Sequence, residues 1–331
     1  VHTRNYGGPQ LTSTIGSDAI KEKNMKWKWL PGILIGLFIV ASGIYLILDP
    51  EVKELNEATR AKLGGSYIQL SDGITHYNLE GSQDAKVVVL VHGATIPIWT
   101  WDQQVPALTK AGFRVLSYDN FGRGYSDRPE ATYDQELHLR QLRELTERLG
   151  LTSPFDLVGI SLGGGTAVNF TARYPDRVDK LVLISPLINN YKVPSYFGIP
   201  VLGEFLARVA GIRVITNRFV SLIGNHPQSE KYGRLFAEQT TYKGFRQSIL
   251  SMLRNDAVGD YRAAYQIVGR QKRDVLLIWG TEDTGVTKPM VSDIQSFVPR
   301  LTFKPVEGVG HGIVFQKPQT VNRLIINFLL N

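Results

Sequence analysis

The stretch DLVGISLGGGTAV, residues 156–168, decides how this chain folds. Its first half, through Ile160, is an apolar run of the kind that forms a strand buried on both faces, and its second half is helix-compatible. Between them Ser161 sits among Gly159, Gly163, Gly164 and Gly165. Chain reversal alone needs one glycine, so this turn does more than reverse the chain. Gly159-Ile160-Ser161-Leu162-Gly163 matches G-x-S-x-G in the strand–turn–helix context that the pattern requires. A serine held on so sharp a turn needs neighbours without side chains for the turn to close. Its hydroxyl then projects at a helix N-terminus, where the dipole favours developing negative charge. Ser161 therefore reads as a nucleophile.

Working outward, strands and helices alternate. SYIQL and ITHYNL flank a turn at Asp72-Gly73, and KVVVLVHG (86–93) is a continuous β-branched run. A helix is expected near 100–112, a strand at RVLSYD (114–119), a helix over 134–149 and a strand at FDLVGI (155–160). Then follow a helix over 162–173, strand KLVLIS (180–185), strand DVLLIWG (274–280), a helix over 288–298, strand LTFKPV (301–306) and a last helix near 318–330. Buried strands alternating with helices predict an α/β fold, a mostly parallel central sheet flanked by helices. The interruption at about 187–273 contains helix-like stretches and no buried strand. It reads as a helical lid at the carboxyl ends of the strands, where such sheets bind ligands.

A serine hydroxyl is a poor nucleophile without a base. Of the six histidines, His311 lies in VEGVGHGIV, a glycine-flanked loop between the last strand and the last helix, able to return over the sheet edge. Its imidazole needs an orienting carboxylate, and IWGTEDTGV places Glu282 and Asp283 just beyond a buried strand. The shorter Asp283 is the assigned acid and Glu282 the alternative. Activity is then expected to fall as the pH drops and the imidazole protonates. Oxyanion donors are expected from the backbone N–H of Leu162 and from the loop after VHG, at Ala94 or else Thr95. His92 and Gly93 read as shaping that loop. Neither a cofactor nor a metal is expected, and the lack of cysteine excludes disulfides and thiolate ligands.

From roughly 65 to 330 the chain resembles lidded α/β-hydrolases of the serine-hydrolase type. VLVHG, YDNFGRGYSDRP (118–129), LVGISLGGG, LLIWGTEDTGV and VEGVGHG carry the resemblance, in that family's order. It implies Ser161 as nucleophile, Asp283 as acid and His311 as base, and it implies structural roles for Asp119, Gly122 and Gly124. Within that group the chain is similar to monoacylglycerol lipases and esterases, and also to hydrolases that cleave carbon–carbon bonds in ring-fission products. The latter commonly carry a G-P-G-type run after HG, where this chain has HGATIPIW. The resemblance therefore favours ester hydrolysis, with a lipid-derived ester such as a monoacylglycerol as substrate. Carbon–carbon hydrolysis and acyl transfer are the alternatives.

The first fifty residues are separate in character. Leu30–Leu48 runs nineteen residues without a charge, about 28 Å as a helix and close to the hydrocarbon thickness of a bilayer. Trp27 and Trp29 precede it as interfacial aromatics would, Lys21, Lys23, Lys26 and Lys28 lie before it, and Asp49, Glu51 and Glu54 follow. The expectation is a single-pass anchor over 29–49 with a cytoplasmic N-terminus and an extracytoplasmic catalytic domain. A secreted protein formed by signal cleavage is the alternative. Residues 1–28 read as a disordered arm, with Met25 as a natural translation start, 50–65 as a helix-compatible connector, and 66–331 as the hydrolase domain.

Net charge is +7, concentrated in the interruption, where thirteen Lys and Arg face five acidic residues. Tyr196, Phe197, Ile199, Leu202, Phe205 and Leu206 could form an oily face there. Nothing resembles a nucleic-acid-binding stripe. The expected partners are a small ester or lipid substrate and a membrane, the latter through the anchor and through a basic lid.

Overall fold

The structure, a computed structural model, describes residues 2–3, 29–47, 49–189 and 192–331. The expected arm over 1–28, apart from residues 2–3, lies outside the described residues, as does Leu48. The chain divides into two compact units, Val1–Asp49 and Pro50–Asn331. In the first, helix α1 (Leu30–Ile47) carries no charged side chain and buries none of its residues. It is long and apolar enough to cross a membrane, a property that signal sequences near an N-terminus share.

The second unit is built on an eight-stranded sheet. Its strands are β1 (Ser66–Gln69), β2 (Ile74–Glu80), β3 (Val87–Val91), β4 (Arg114–Tyr118), β5 (Phe155–Ile160), β6 (Val178–Ile184), β7 (Val275–Gly280) and β8 (Thr302–Val306). They lie in the order β1-β2-β4-β3-β5-β6-β7-β8. Only the pairings of β1 with β2 and of β2 with β4 are antiparallel. The mostly parallel architecture expected from the sequence is thus present.

Strand periodicity explains the two cores. Val89, Val91, Leu157, Leu181, Leu183 and Leu277 point to one face, where α4 (Gln135–Arg148) and α5 (Leu162–Arg173) cover them. Their neighbours Val88, Leu90, Val158, Val182, Ile184, Leu276 and Ile278 point to the other. There α3 (Val105–Lys110) and the C-terminal α13 (Pro318–Leu330) close over them, with the short α12 (Ile313–Gln316) beside them. A strand covered on both sides must be apolar at every position, so these runs are continuous rather than alternating. The helix expected near 100–112 is a 3₁₀ turn, Ile98–Trp101, followed by α3, because Pro106 is accommodated only in the first turn of a new helix.

Between β6 and β7 the chain forms α6 (Leu202–Leu206), a π turn (Ala207–Gly211), α7 (Ile212–Ile223), α8 (Ser229–Gln239), α9 (Phe245–Arg254) and α10 (Arg262–Arg270), with no strand of the sheet among the described residues. Helix α10 packs against α5 and α11 (Lys288–Phe297), burying Tyr265 and Val268 in the sheet's own core. The part of 187–273 that stands over the strand ends is therefore shorter than the whole interruption.

Residues 51–65 are helical only over α2 (Glu57–Leu63), which Asn56 caps and Gly64 terminates. The residues before α2 run extended along the entry to α9. Lys53 exchanges main-chain hydrogen bonds with Thr241 and Lys243, both 2.9 Å. The Glu51 carboxylate accepts from the Gly244 and Arg246 N–H groups at 3.0 and 2.5 Å, satisfying donors that open α9.

Candidate active site

Parallel strands deliver their carboxyl-end loops to one edge of the sheet, and the site is assembled there. Ser161 follows β5 with φ 54° and ψ −122°, in the left-handed half of backbone space that a non-glycine residue rarely enters. Such a conformation costs about 1–3 kcal/mol and persists only where the surroundings enforce it. They do so here. Ser161 N–H donates to the Ile184 carbonyl at 3.1 Å, and its own carbonyl accepts from Gly164, Gly165 and Leu187. Side chains cannot intrude on this turn, since a Cβ at Gly159 would collide with the Gly163 carbonyl and one at Gly163 with the Val91 and His92 carbonyls. Gly164 and Gly165 are pressed in the same way against Pro186 and Tyr261. All four glycines are thus explained by close approach around one hydroxyl.

His311 lies in the loop after β8, and its Nδ1 stands 2.7 Å from Asp283 Oδ2. Asp283 follows β7, and its Oδ1 accepts from the Gly285 and Val286 N–H groups at 2.8 and 2.9 Å. Burial acts to raise this carboxyl, but the hydrogen bond and attraction of His311, with the Val286 N–H, outweigh it and hold Asp283 below its ordinary value. An ionised carboxylate only accepts, so Nδ1 of His311 donates and Nε2 keeps its lone pair for another proton. The alternative acid, Glu282, has an exposed side chain. Asp283 is the residue the fold brings to the imidazole.

Ser161, His311, Ala94, Thr95 and Leu162 all line one cavity of about 360 Å³. The Ala94 and Leu162 N–H groups donate to no protein acceptor among the described residues. Its walls are mostly apolar. Ile96, Leu187, Val314 and Phe315 come from the sheet edge, and Phe197, Ile212, Ile249 and Leu253 from the insertion. Arg218 and Arg246 are the cationic residues of the lining. Tyr196 and Val214 also line it while remaining 44% and 64% exposed, which marks the rim. The oily face expected over 196–206 is divided accordingly, with Phe197 against the cavity and Ile199 and Leu202 toward solvent.

The residues read as structural have structural partners. Asp119 is buried and accepts from the Ile98 and Tyr125 N–H groups and from His76 Nδ1, which is 2.7 Å away. Gly124, at φ 49°, lies where a Cβ would strike that carboxylate. His92 Nε2 accepts from Asn120 N–H at 2.9 Å, leaving Nδ1 to donate to the Gly93 carbonyl at 2.7 Å, so this ring braces the loop before Ala94. One residue of this turn escaped the sequence reading. Arg123 is buried and donates from Nε to the Ala94 carbonyl. A charged side chain in a glycine-rich turn carries no sequence signal that it points inward.

Burial holds His92 down to about 4 and His138 down to about 3, Arg123 adding to the effect on both. Neither nitrogen of His138 has a protein partner among the described residues. In the unfolded chain imidazoles protonate near pH 6.5. The folded values lie lower, so the unfolded chain binds more protons below that pH and stability falls as pH drops from about 6.5 toward 4. Each such ring contributes about 1.4 kcal/mol per pH unit in that window. We expect His138→Leu to be neutral or mildly stabilising at pH 7. At pH 4.5 it should retain about 2–3 kcal/mol that the natural chain loses, read from urea midpoints at both pH values. An acid slope equal to that of the natural chain would contradict this.

Comparisons with known proteins place this geometry among relatives. Residues 86–205 match a family model described as alpha/beta hydrolase fold. The 2-hydroxy-6-oxo-6-phenylhexa-2,4-dienoate hydrolase of Comamonas testosteroni is 27% identical over 84% of this chain and 98% of its own length. The carboxylesterase YbfK of Bacillus subtilis strain 168 is 24% identical over 80% of this chain and 86% of its own. Among solved structures, the enol-lactonase from Burkholderia xenovorans LB400 superposes with a TM-score of 0.68 at 21% identity, covering 80% of this chain and 100% of that one.

Proposed function

Because the chain has the α/β-hydrolase fold, we propose that it is a membrane-anchored serine hydrolase that cleaves carboxylic esters through Ser161, His311 and Asp283. One observation carries this reading. A strained serine and an aspartate-held imidazole open together onto a cavity with apolar walls. Ser161 Oγ attacks the acyl carbon while His311 Nε2 takes its proton, and the carbonyl electrons move onto oxygen. That oxyanion is received by the Ala94 and Leu162 N–H groups, each worth about 10²–10³ in rate where such donors have been removed. Collapse breaks the bond to the alcohol, which leaves with the proton from His311. Water then attacks the acyl-enzyme with His311 as base, and the acid is released. Asp283, ionised, keeps the imidazole in the required tautomer throughout.

Apolar walls suit an acyl chain, and a lipid-derived ester such as a monoacylglycerol is the substrate we favour. The relative from Comamonas testosteroni supports a second reading, hydrolysis of a ring-fission product. The p-nitrophenyl esters from acetate to palmitate separate the two. We expect turnover to peak at medium or long chains and to exceed any cleavage of a 2-hydroxy-6-oxodienoate. No ester turnover, with cleavage of the dienoate, would reverse the assignment.

The apolar run Leu30–Leu48 supports an anchor that leaves the N-terminus in the cytoplasm and the catalytic unit outside. Release of the full chain from membranes by alkaline carbonate would contradict the anchor. Besides the cavity-lining Val214 and Arg218, the insertion exposes Ile199, Val201, Val220 and Arg213. This face suits an anionic membrane surface, where each basic residue contributes about 1 kcal/mol. Equal binding of residues 50–331 to anionic and neutral vesicles would contradict that part of the reading.

A further inference from the structure

Arg123, in the turn after β4, is only 3% exposed, yet among the described residues its polar partners are all neutral. Its Nε donates to the Ala94 carbonyl at 2.5 Å, and Nη1 donates to the Gly122 carbonyl at 2.9 Å and to the Ser248 hydroxyl at 2.6 Å. Its Nη2 meets Met252 Sδ at 3.3 Å, and the guanidinium carbon lies 5.7 Å from the centre of the Phe245 ring. No ion pair reaches it among the described residues. A buried cation without a counter-charge costs several kcal/mol, and an apolar side chain of similar length would fill the space at lower energy.

The placement explains why a cation stands there. Ala94, Phe245 and Met252 all line the cavity that holds Ser161. The guanidinium therefore sits directly behind that wall, and its hydrogen bond fixes the backbone rotation of residue 94 in the loop that carries the Ala94 and Thr95 N–H groups. We infer that Arg123 is a positioning residue for the oxyanion loop, and that its uncompensated charge stabilises the negative charge developing on the acyl oxygen. A fixed charge in a dry wall acts on the transition state more strongly than the same charge would in water. Burial brings the guanidinium down to about 10, so it remains charged at neutral pH. The inference rests on Ser161 as nucleophile but not on the identity of the ester.

The test compares Arg123→Met with Arg123→Lys in the full chain, using a fluorophosphonate. Ser161 Oγ forms a bond to phosphorus as the P–F bond breaks, fluoride leaves and the hydroxyl proton passes to His311. The phosphoryl oxygen makes the same demand on the oxyanion loop as an ester carbonyl. We expect Arg123→Met to slow labelling, and kcat on any ester that turns over, by about 10–100-fold with KM changed less than about threefold. Arg123→Lys, which keeps the charge, is expected to recover most of that loss. A role in packing alone predicts the reverse order, because Met suits an apolar pocket better than Lys. Labelling of Arg123→Met at the wild-type rate, or of Arg123→Lys no faster than Arg123→Met, would overturn the inference. Should Arg123→Met not fold, Arg123→Lys decides: labelling within about tenfold of wild type supports it, and a fall beyond about 100-fold overturns it. A natural chain that fails to label would overturn the nucleophile assignment and this inference with it. One that labels but cleaves no ester revises the substrate alone.

Discussion

Ser161→Ala is expected to lower ester turnover on the order of 10⁶-fold in kcat while leaving KM and the melting temperature nearly unchanged. The substitution removes one oxygen and no cavity wall, and alanine meets the same backbone strain at φ 54° that serine does. Thr100 also lines the cavity, but its hydroxyl is committed to the Ile96 carbonyl. What survives should be the modest acceleration available from oxyanion donors and binding alone. Stopped assays with p-nitrophenyl esters, together with a thermal melt, check both halves. A variant retaining a tenth of the activity would remove Ser161 from the mechanism.

Asp283→Asn is the second large effect, about 10⁴-fold in kcat, and the structure dictates its cause. Oδ1 of Asp283 accepts from two backbone N–H groups, at Gly285 and Val286. An asparagine must turn its carbonyl oxygen toward those donors, which leaves its NH₂ facing His311 Nδ1. The imidazole then accepts at Nδ1 and carries its proton on Nε2, the nitrogen that should receive the Ser161 proton. Geometry is preserved and the tautomer is wrong. Glu282→Gln, one residue away with an exposed side chain, serves as the control and should leave turnover unchanged. A loss of less than tenfold in Asp283→Asn, measured as kcat at neutral pH, would contradict the tautomer argument.

Much of this was legible in the chain because the decisive segments are locally determined. A strand covered on both faces must be apolar throughout, so β3, β5, β6 and β7 announce themselves as continuous runs. Ser161, Asp283 and His311 each sit immediately beyond such a strand or in a glycine-flanked loop, and a parallel sheet brings those positions to one edge without further information. Side-chain length favours Asp283 over its neighbour Glu282, but the physical reason, burial of the one and exposure of the other, depends on how the turn after β7 closes.

What escaped the reading depends on distant partners. Glu51 looks like one more polar residue in a connector, and its role at the entry of α9 exists only once Gly244 and Arg246 arrive beside it. Arg123 lies in a turn whose glycines advertise tight packing, yet a guanidinium carries no sequence mark of burial. Helix α10 shares the amphipathic character of the insertion helices before it, and only its packing on α5 assigns it to the sheet.

The measurement that bears most directly on the whole account is the mass of the enzyme during turnover. The protein is mixed with a p-nitrophenyl ester, quenched with acid within a turnover time, digested and analysed by peptide mass spectrometry. The account predicts an acyl group on the peptide holding Ser161, rising and then decaying as free acid appears, and absent in Ser161→Ala. Acid released at full rate with no adduct on that peptide, or an adduct on a different residue, would contradict it.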